Sequence, residues 1–314
     1  MIYNPTAGKL KRNDQRILHR TIEALSESGL SVTTIATTGP GTAAGLARTA
    51  VERGADLIIA LGGDGTINEV ANGVIGSDVP LAILPGGTAN CLGIETGMGT
   101  NPVKAARMLA ACVPHRISAG RVICRGNDRY FLSMVGVGLD AQIVSEVHPK
   151  IKKATGKFAY WVAGVKQIVK RVNVFEVRIA GGEAQSCGFA LASRLRNYGG
   201  DLVIATSASL LSDHFDTLLF EGSNPLRYVG YMLGVVVRQH KLLPGVGSQA
   251  AREIEFNPVS SRVVYVQADG ELIGTLPARV ELCENALTLL APSHLAHRES
   301  RYLRKDEAVA ASIR

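Results

Sequence analysis

Residues 57–61, Leu-Ile-Ile-Ala-Leu, run directly into Gly62-Gly63-Asp64-Gly65-Thr66 and then into Ile67-Asn68-Glu69-Val70-Ala71. An unbroken apolar run this short reads as a buried strand, and the residues after the glycines read as a helix start. A strand that ends in glycines and opens into a helix lets backbone approach a ligand that any Cβ would block. The free N–H groups of the helix start suit an anion such as phosphate. Asp64, a carboxylate at such a place, repels phosphate unless a divalent cation stands between them. Mg²⁺ is commonly held in that way, by one or two carboxylates together with substrate phosphates. The stretch therefore points to a nucleoside triphosphate with Mg²⁺.

A second turn of the same kind follows one short crossover. Leu81-Ala82-Ile83-Leu84 is another buried strand, and it ends in Pro85-Gly86-Gly87-Thr88-Ala89-Asn90. Two glycine turns at the carboxyl ends of neighbouring strands form the crevice in which open α/β sheets bind ligands. Preceded by Asn4-Pro5-Thr6-Ala7-Gly8, these two motifs resemble the diacylglycerol kinase catalytic-domain family, which includes bacterial lipid kinases and sphingosine kinases. The Gly-Gly-Asp-Gly-Thr run alone is shared with NAD kinases and phosphofructokinases; the start motif and the later segments favour the lipid kinases.

The resemblance implies that Asn4, Gly8, Gly62, Gly63, Asp64, Gly65, Thr66, Asn68, Gly86, Gly87, Thr88 and Asn90 hold ATP, with Asp64 at its Mg²⁺. It adds Thr37, at the end of a strand over residues 31–37, although a threonine there also serves as a plain turn former. Asn4-Pro5 by itself makes an ordinary turn. Its position ahead of a strand–helix alternation is what suggests a phosphate contact. Helices are expected at residues 12–29, 42–53 and 102–111, and the βαβαβ order through about residue 111 predicts a parallel sheet with covering helices. Relatives usually carry several residues before the start motif, so strand one is short: a trimmed start or a weak edge.

After Pro114 the pattern changes to short β-rich segments at 121–125, 130–135, 174–180, 188–193, 202–206, 217–221, 263–268 and 278–282. Many short strands between turns predict a sandwich or barrel. The family's second domain is an antiparallel β-sandwich, and the two readings agree. The expected fold is α/β: a parallel-sheet nucleotide-binding domain over residues 1–116 and a mainly antiparallel β-sandwich lipid domain over 117–294, with 295–314 packing back on the first.

Gly136-Val137-Gly138-Leu139-Asp140-Ala141 resembles a glycine-rich family segment whose aspartate faces the cleft. This implies that Asp140 contacts the lipid headgroup or positions another carboxylate. Asp269-Gly270-Glu271 is a common hairpin signal as it stands, but a turn does not require the glutamate. A hydroxyl that attacks phosphorus must lose its proton, and a carboxylate within reach can accept it. By resemblance Glu271 is the proton acceptor and touches the substrate, and Asp269 orients it or meets metal. One family feature is altered: Ser212 stands where an aspartate binds a structural Mg²⁺, and Asp213 and Asp216 are its candidate replacements. A second departure is Cys91, where relatives usually have Asp; a small packed residue is its simpler reading.

Composition narrows the setting. With 314 residues, 46% hydrophobic and 19% charged, the chain can bury two cores. The five cysteines are scattered without C-x-x-C spacing, which argues against a disulfide framework or a zinc site. No apolar run reaches membrane-span length, and the first residues lack the basic-then-apolar pattern of a signal peptide. The expectation is a cytoplasmic protein, peripheral at the inner membrane surface. Its net charge of +7 suits an anionic membrane, and no nucleic-acid motif is present. A helix over 148–171 gathers Lys150, Lys152, Lys153, Lys157, Lys166, Lys170 and Arg171 with Phe158, Tyr160 and Trp161. Its lysines are expected at the membrane and its aromatics in packing. Residues 297–314 read as a further basic helix. The expected partners are a lipid substrate and that membrane surface, with a homodimer left open and no nucleic acid. The expected activity is ATP- and Mg²⁺-dependent phosphorylation of the hydroxyl of diacylglycerol or a related lipid alcohol. The rivals are an NAD kinase-like enzyme and a non-catalytic nucleotide or lipid sensor.

Overall fold

A computed structural model describes residues 1–146, 172–199 and 202–296. The basic helices expected at 148–171 and 297–314 lie outside these residues. Contacts divide the chain into two units: Met1–Ala119 with the described residues from Glu284 on, and Gly120–Cys283.

The first unit is built on a parallel sheet. Its strands are β1 (Ile2–Tyr3), β2 (Ile35–Ala36), β3 (Ile58–Gly62) and β4 (Leu81–Pro85). β1 pairs with β2 on one side and β3 on the other, and β4 extends the sheet beyond β3, all in parallel. The chain thus lays one strand to one side of β1 and the next to the other, and the order reverses between β1 and β3. Helices α1 (Gly8–Glu27), α2 (Thr42–Glu52), α3 (Asp64–Val74), α4 (Cys91–Glu95) and α5 (Pro102–Met108) accompany the strands. α1 packs on α5 and α2 on α3. Every residue of β3 and β4 is buried, as expected of strands covered on both faces. The brevity of β1 confirms a short first strand.

The second unit is antiparallel. Its strands include the end of β5 (Cys112–Cys124), then β6 (Asn127–Phe131), β7 (Met134–Gly138), β8 (Phe175–Ile179) and β9 (Gln185–Ser193). A small ribbon of β10 (Asn197–Tyr198) and β11 (Leu202–Val203) follows, then β12 (Phe215–Glu221), β13 (Val246–Ala251), β14 (Glu253–Pro258), β15 (Tyr265–Ala268), β16 (Glu271–Thr275) and the start of β17 (Ala278–Pro292). β7, β9, β12 and β13 are neighbours in that order, and β15 joins β7 to β16. Side chains alternate between the faces of β9 and β12. Ala190, Ala192, Phe215 and Leu219 enter one apolar core with Phe131, Phe175 and Phe256. Leu191, Leu218 and Phe220 enter a second, with Tyr228, Tyr231 and Val235.

β17 starts in the second unit, against β14, and ends in the first, where Leu289 and Leu290 pair with Leu81 and Ala82 of β4. The return to the first unit therefore comes earlier than the residue 294 that ended the second domain in the sequence. Two helices of the second unit complete the description: α6 (Leu139–Glu146) and α7 (Pro225–Val236). α7 was not foreseen, although Asn224-Pro225 is a helix-start signal. Asn224 Oδ1 accepts the Leu226 N–H at 2.9 Å, as an N-cap does. Among the described residues no helix is long and apolar enough to cross a membrane.

Candidate active-site residues in each unit

In the first unit the carboxyl ends of β1, β3 and β4 are tied level. The Asn4 N–H reaches the Leu61 carbonyl at 3.0 Å, the Gly86 N–H the Gly62 carbonyl at 2.7 Å, and the Lys9 N–H the Gly86 carbonyl at 3.0 Å. The Asn4 side chain joins two turns: Oδ1 accepts from the Thr6 N–H and hydroxyl, both at 2.9 Å, and Nδ2 donates to Thr66 Oγ1 at 3.1 Å. The glycines are there because the turns approach so closely. A Cβ on Gly87 would lie 2.5 Å from Gly63 Cα, and one on Gly62 would lie 2.6 Å from Thr66 Cβ. Gly8 opens α1, with Thr88 Oγ1 3.2 Å from where its Cβ would stand. These turns surround the point where the strand order reverses, the place at which open α/β sheets bind ligands.

Asp64 begins α3, half-buried, and its Oδ1 accepts the Leu92 N–H of α4 at 3.2 Å. Burial raises its carboxyl above the usual carboxylate range, while the N–H groups of Leu92, Cys91 and Asn90 pull it down. Gly65 lies in the first turn of the same helix, half-buried. Among the described residues no group of three His, Cys, Asp or Glu could enclose a metal. A single desolvated carboxylate beside helix N-termini fits Mg²⁺ that takes its other oxygens from water and a nucleotide.

Other expected residues have different surroundings. Asn90 is left-handed (φ 52°) and buried, with Oδ1 accepting the Gly87 N–H at 2.8 Å and Nδ2 donating to the Gly87 carbonyl at 2.9 Å. It locks its own turn. Asn68 has no exposed surface, and its Oδ1 accepts from Asn72 Nδ2 at 3.2 Å. Its Nδ2 is buried and has no hydrogen-bond partner among the described residues. Thr37 follows β2 with its N–H on the Tyr3 carbonyl at 2.9 Å, half-buried, and Thr88 is exposed.

In the second unit one hydrogen-bonded group links residues far apart in sequence. Gln267 Nε2 donates to Asp140 Oδ2 at 2.6 Å, and Gln267 Oε1 accepts the Gly270 N–H at 2.8 Å. Tyr198 donates its hydroxyl to Asp140 Oδ1. Asp140 is thus buried with both oxygens occupied, and burial raises its carboxyl against the pull of Tyr198 and Gln267. Of its two expected roles this arrangement suits positioning, because Gln267 connects it to the turn that carries Glu271.

Asp269 is left-handed (φ 50°). Its carboxylate accepts the N–H groups of Leu132, Ser133 and Met134 at 3.0, 2.9 and 2.9 Å. Burial pushes the carboxyl up to about 6, against the pull of those N–H groups and Arg129. It clamps the hairpin to the backbone between β6 and β7. Glu271 follows at the head of β16, partly exposed, with its Oε2 held by Arg129 Nη1 at 2.6 Å. Arg129 and Gln267 were not anticipated. Gln267 carried a signal, as the polar residue in the otherwise apolar Tyr-Val-Gln-Ala strand. Arg129 carried none, since its partner is 142 residues away.

The second metal site expected at Ser212, Asp213 and Asp216 is corrected by the structure. The fully buried Arg194 guanidinium donates to the carbonyls of Leu210, Ser212 and His214 at 2.5, 2.8 and 2.9 Å. Asp216 is buried and accepts from the Ser207 N–H at 2.9 Å, Lys241 Nζ at 3.2 Å and the Ser248 hydroxyl at 3.2 Å. Asp213 is exposed and pairs with Arg252 and His214, which hold its carboxyl down at about 2. Three side-chain cations, Arg194, Lys241 and Arg252, supply the positive charge that a metal would bring, and the residues do not fit a metal. Arg194→Ala is expected to cost about 3 kcal/mol or more, since three carbonyls lose their donor at roughly 1–3 kcal/mol each. Urea unfolding measures this. EDTA is expected to leave the Tm unchanged, and a fall in Tm would show a cation held there.

Comparison with known proteins agrees with this layout. Residues 1–122 match the family model described as diacylglycerol kinase catalytic domain, and residues 133–291 the one described as YegS C-terminal NAD kinase beta sandwich-like domain. A Diacylglycerol kinase of Staphylococcus saprophyticus is 27% identical over 307 residues, covering 95% of this chain and 97% of that protein. Another, from Staphylococcus epidermidis, is 28% identical, covering 95% and 93%. Two solved structures from Bacillus anthracis str. Sterne share the fold. One superposes with a TM-score of 0.76 at 20% identity over 94% of this chain and 95% of that one. The other, described as a diacylglycerol kinase, gives 0.68 at 17% identity over 94% and 96%.

Proposed function

We infer the reaction from one premise: this chain belongs to the diacylglycerol kinase catalytic-domain family. It is a lipid kinase by that membership, and the finer reading is transfer of the ATP γ-phosphoryl group to the free hydroxyl of diacylglycerol or a related lipid alcohol. The observation that carries it is the pair of glycine turns around Asp64, joined level at the strand ends. Close-packed backbone turns at a helix start, with one desolvated carboxylate, suit a nucleotide triphosphate and its Mg²⁺.

When bound, Mg²⁺ would supply charge neutralisation on the phosphates, with Asp64 as its protein ligand. The Gly62-Gly63 and Gly86-Gly87 turns would bring backbone up to the phosphates, and the Thr66 and Thr88 hydroxyls would contact them. Asn4 orients Thr66 by donating to its oxygen. On the second unit the alcohol gives its proton to Glu271, whose carboxylate Arg129 orients. Asp269 fixes the backbone of that turn, and Gln267 ties it to Asp140. Catalysis is then chiefly positioning and charge neutralisation, as phosphoryl transfer requires. A lipid acceptor places the protein at a membrane surface.

Release of ADP should follow addition of diacylglycerol to protein, ATP and Mg²⁺. A panel with a sphingoid base, an acylglycerol, phosphatidylglycerol and NAD separates the lipid reading from its rivals. ADP release with NAD alone would overturn it in favour of an NAD kinase, and no release with any acceptor would favour a sensor.

A further inference from the structure

α7 is apolar on two sides. Its inner side places Tyr228, Tyr231 and Val235 in the second core, and the Tyr228 hydroxyl donates to the Phe220 and Gly222 carbonyls, both at 3.0 Å. With 3.6 residues per turn, Leu226, Val229, Leu233 and Val236 form a stripe along another face, continued by Val237 at the helix end. These side chains are 78%, 37%, 60%, 51% and 61% exposed, and Leu242 in the next turn is 57% exposed. A surface helix ordinarily turns charged residues to that side.

The charges around the stripe are mainly basic, with the exposed Glu221 just before the helix near Arg227. Residues 222–252 contain no Asp or Glu, but do contain Arg227, Arg238, Lys241 and Arg252. Lys241 and Arg252 are occupied by Asp216 and Asp213. Arg227 and Arg238 are exposed, and neither forms an ion pair among the described residues. An apolar stripe with a cationic border is the pattern of helices that lie in the interface of an anionic bilayer. Two-fold pairing with a second copy would instead set basic rim against basic rim, with no acid on the helix to answer it.

We propose that the outer face of α7 docks on the surface of an anionic phospholipid bilayer, with Leu226, Val229, Leu233, Val236 and Val237 entering the acyl boundary and Arg227 and Arg238 meeting the headgroups. The choice of a bilayer rests on the lipid-kinase reading; the docking face is argued from α7 itself.

The test is co-sedimentation of the full chain with phosphatidylglycerol–phosphatidylcholine vesicles, without ATP. The parent should bind, more weakly at high salt and on pure phosphatidylcholine. Leu226→Gln combined with Leu233→Gln removes apolar area without adding charge, at positions exposed enough to spare the fold, which an unchanged Tm verifies. It should weaken vesicle binding by about 10-fold or more and leave ADP release with a short-chain, water-soluble diacylglycerol unchanged. Arg227→Gln with Arg238→Gln should flatten the salt dependence. Equal binding by parent and leucine variant overturns the proposal, as does a parent that does not bind at low salt. A leucine variant that turns a parent dimer into a monomer with vesicle binding intact also overturns it, and assigns the face to a second copy. If the parent binds through α7 yet releases no ADP with any lipid, the dock stands and the kinase reading falls.

Discussion

Asp64→Asn is expected to abolish Mg²⁺-dependent turnover while the protein stays folded. The substitution keeps an oxygen in place to accept the Leu92 N–H, now made at 3.2 Å, so the link between the starts of α3 and α4 survives. What it removes is the negative charge that burial has already made costly and that a bound cation would offset. Charge neutralisation matters most in the transition state of phosphoryl transfer, so the loss belongs in kcat and not only in nucleotide binding. Initial rates over a Mg²⁺ titration, beside a melting curve, check this. A folded variant with near-normal turnover would show that Asp64 does not hold the metal.

Glu271→Gln is the second large effect: kcat should fall roughly 10²–10⁴-fold, the usual contribution of general-base assistance, with little change in the KM for ATP. The amide oxygen can still receive Arg129, and the Asp269 clamp does not involve the 271 side chain, so the turn keeps its shape. The missing ability is acceptance of the alcohol's proton. Steady-state kinetics with the acceptor lipid separate the two parameters. An unchanged kcat would reduce the Asp-Gly-Glu segment to a hairpin.

The strand and turn pairs of the first unit were readable in the sequence because each motif is local: an apolar run, glycines, then a helix start, all within about ten residues. The pair of glycine turns could be read for the same reason, since they lie at the ends of the consecutive strands β3 and β4. What stayed hidden is long-range. Arg129 meets Glu271 across 142 residues, and Gln267 meets Asp140 across 127. Neither pairing leaves a periodic trace. Asn68 and Asn90 show the opposite difficulty. They sit in the right motif, yet one is fully buried with its oxygen on Asn72 and the other's side chain locks its own turn. Arg194 illustrates substitution of function: an arginine in a β-rich segment gives no hint that its guanidinium will fill a place expected of a metal. α7 had a readable start at Asn224-Pro225, but its two apolar sides blur the single stripe by which surface helices are recognised.

The approach of Gly63 and Gly87 has a consequence for affinity. With no Cβ between them and the Gly86 N–H fixed to the Gly62 carbonyl, the two turns cannot shift independently. Their conformational freedom is surrendered when the chain folds, long before any phosphate arrives. A ligand entering there meets a preorganised backbone and spends little of its contact energy on ordering loops. Binding at this cradle should therefore be fast to establish and insensitive to loop dynamics, and a substitution that loosened either turn would appear first as a rise in the entropic cost of binding, with the contacts themselves unchanged.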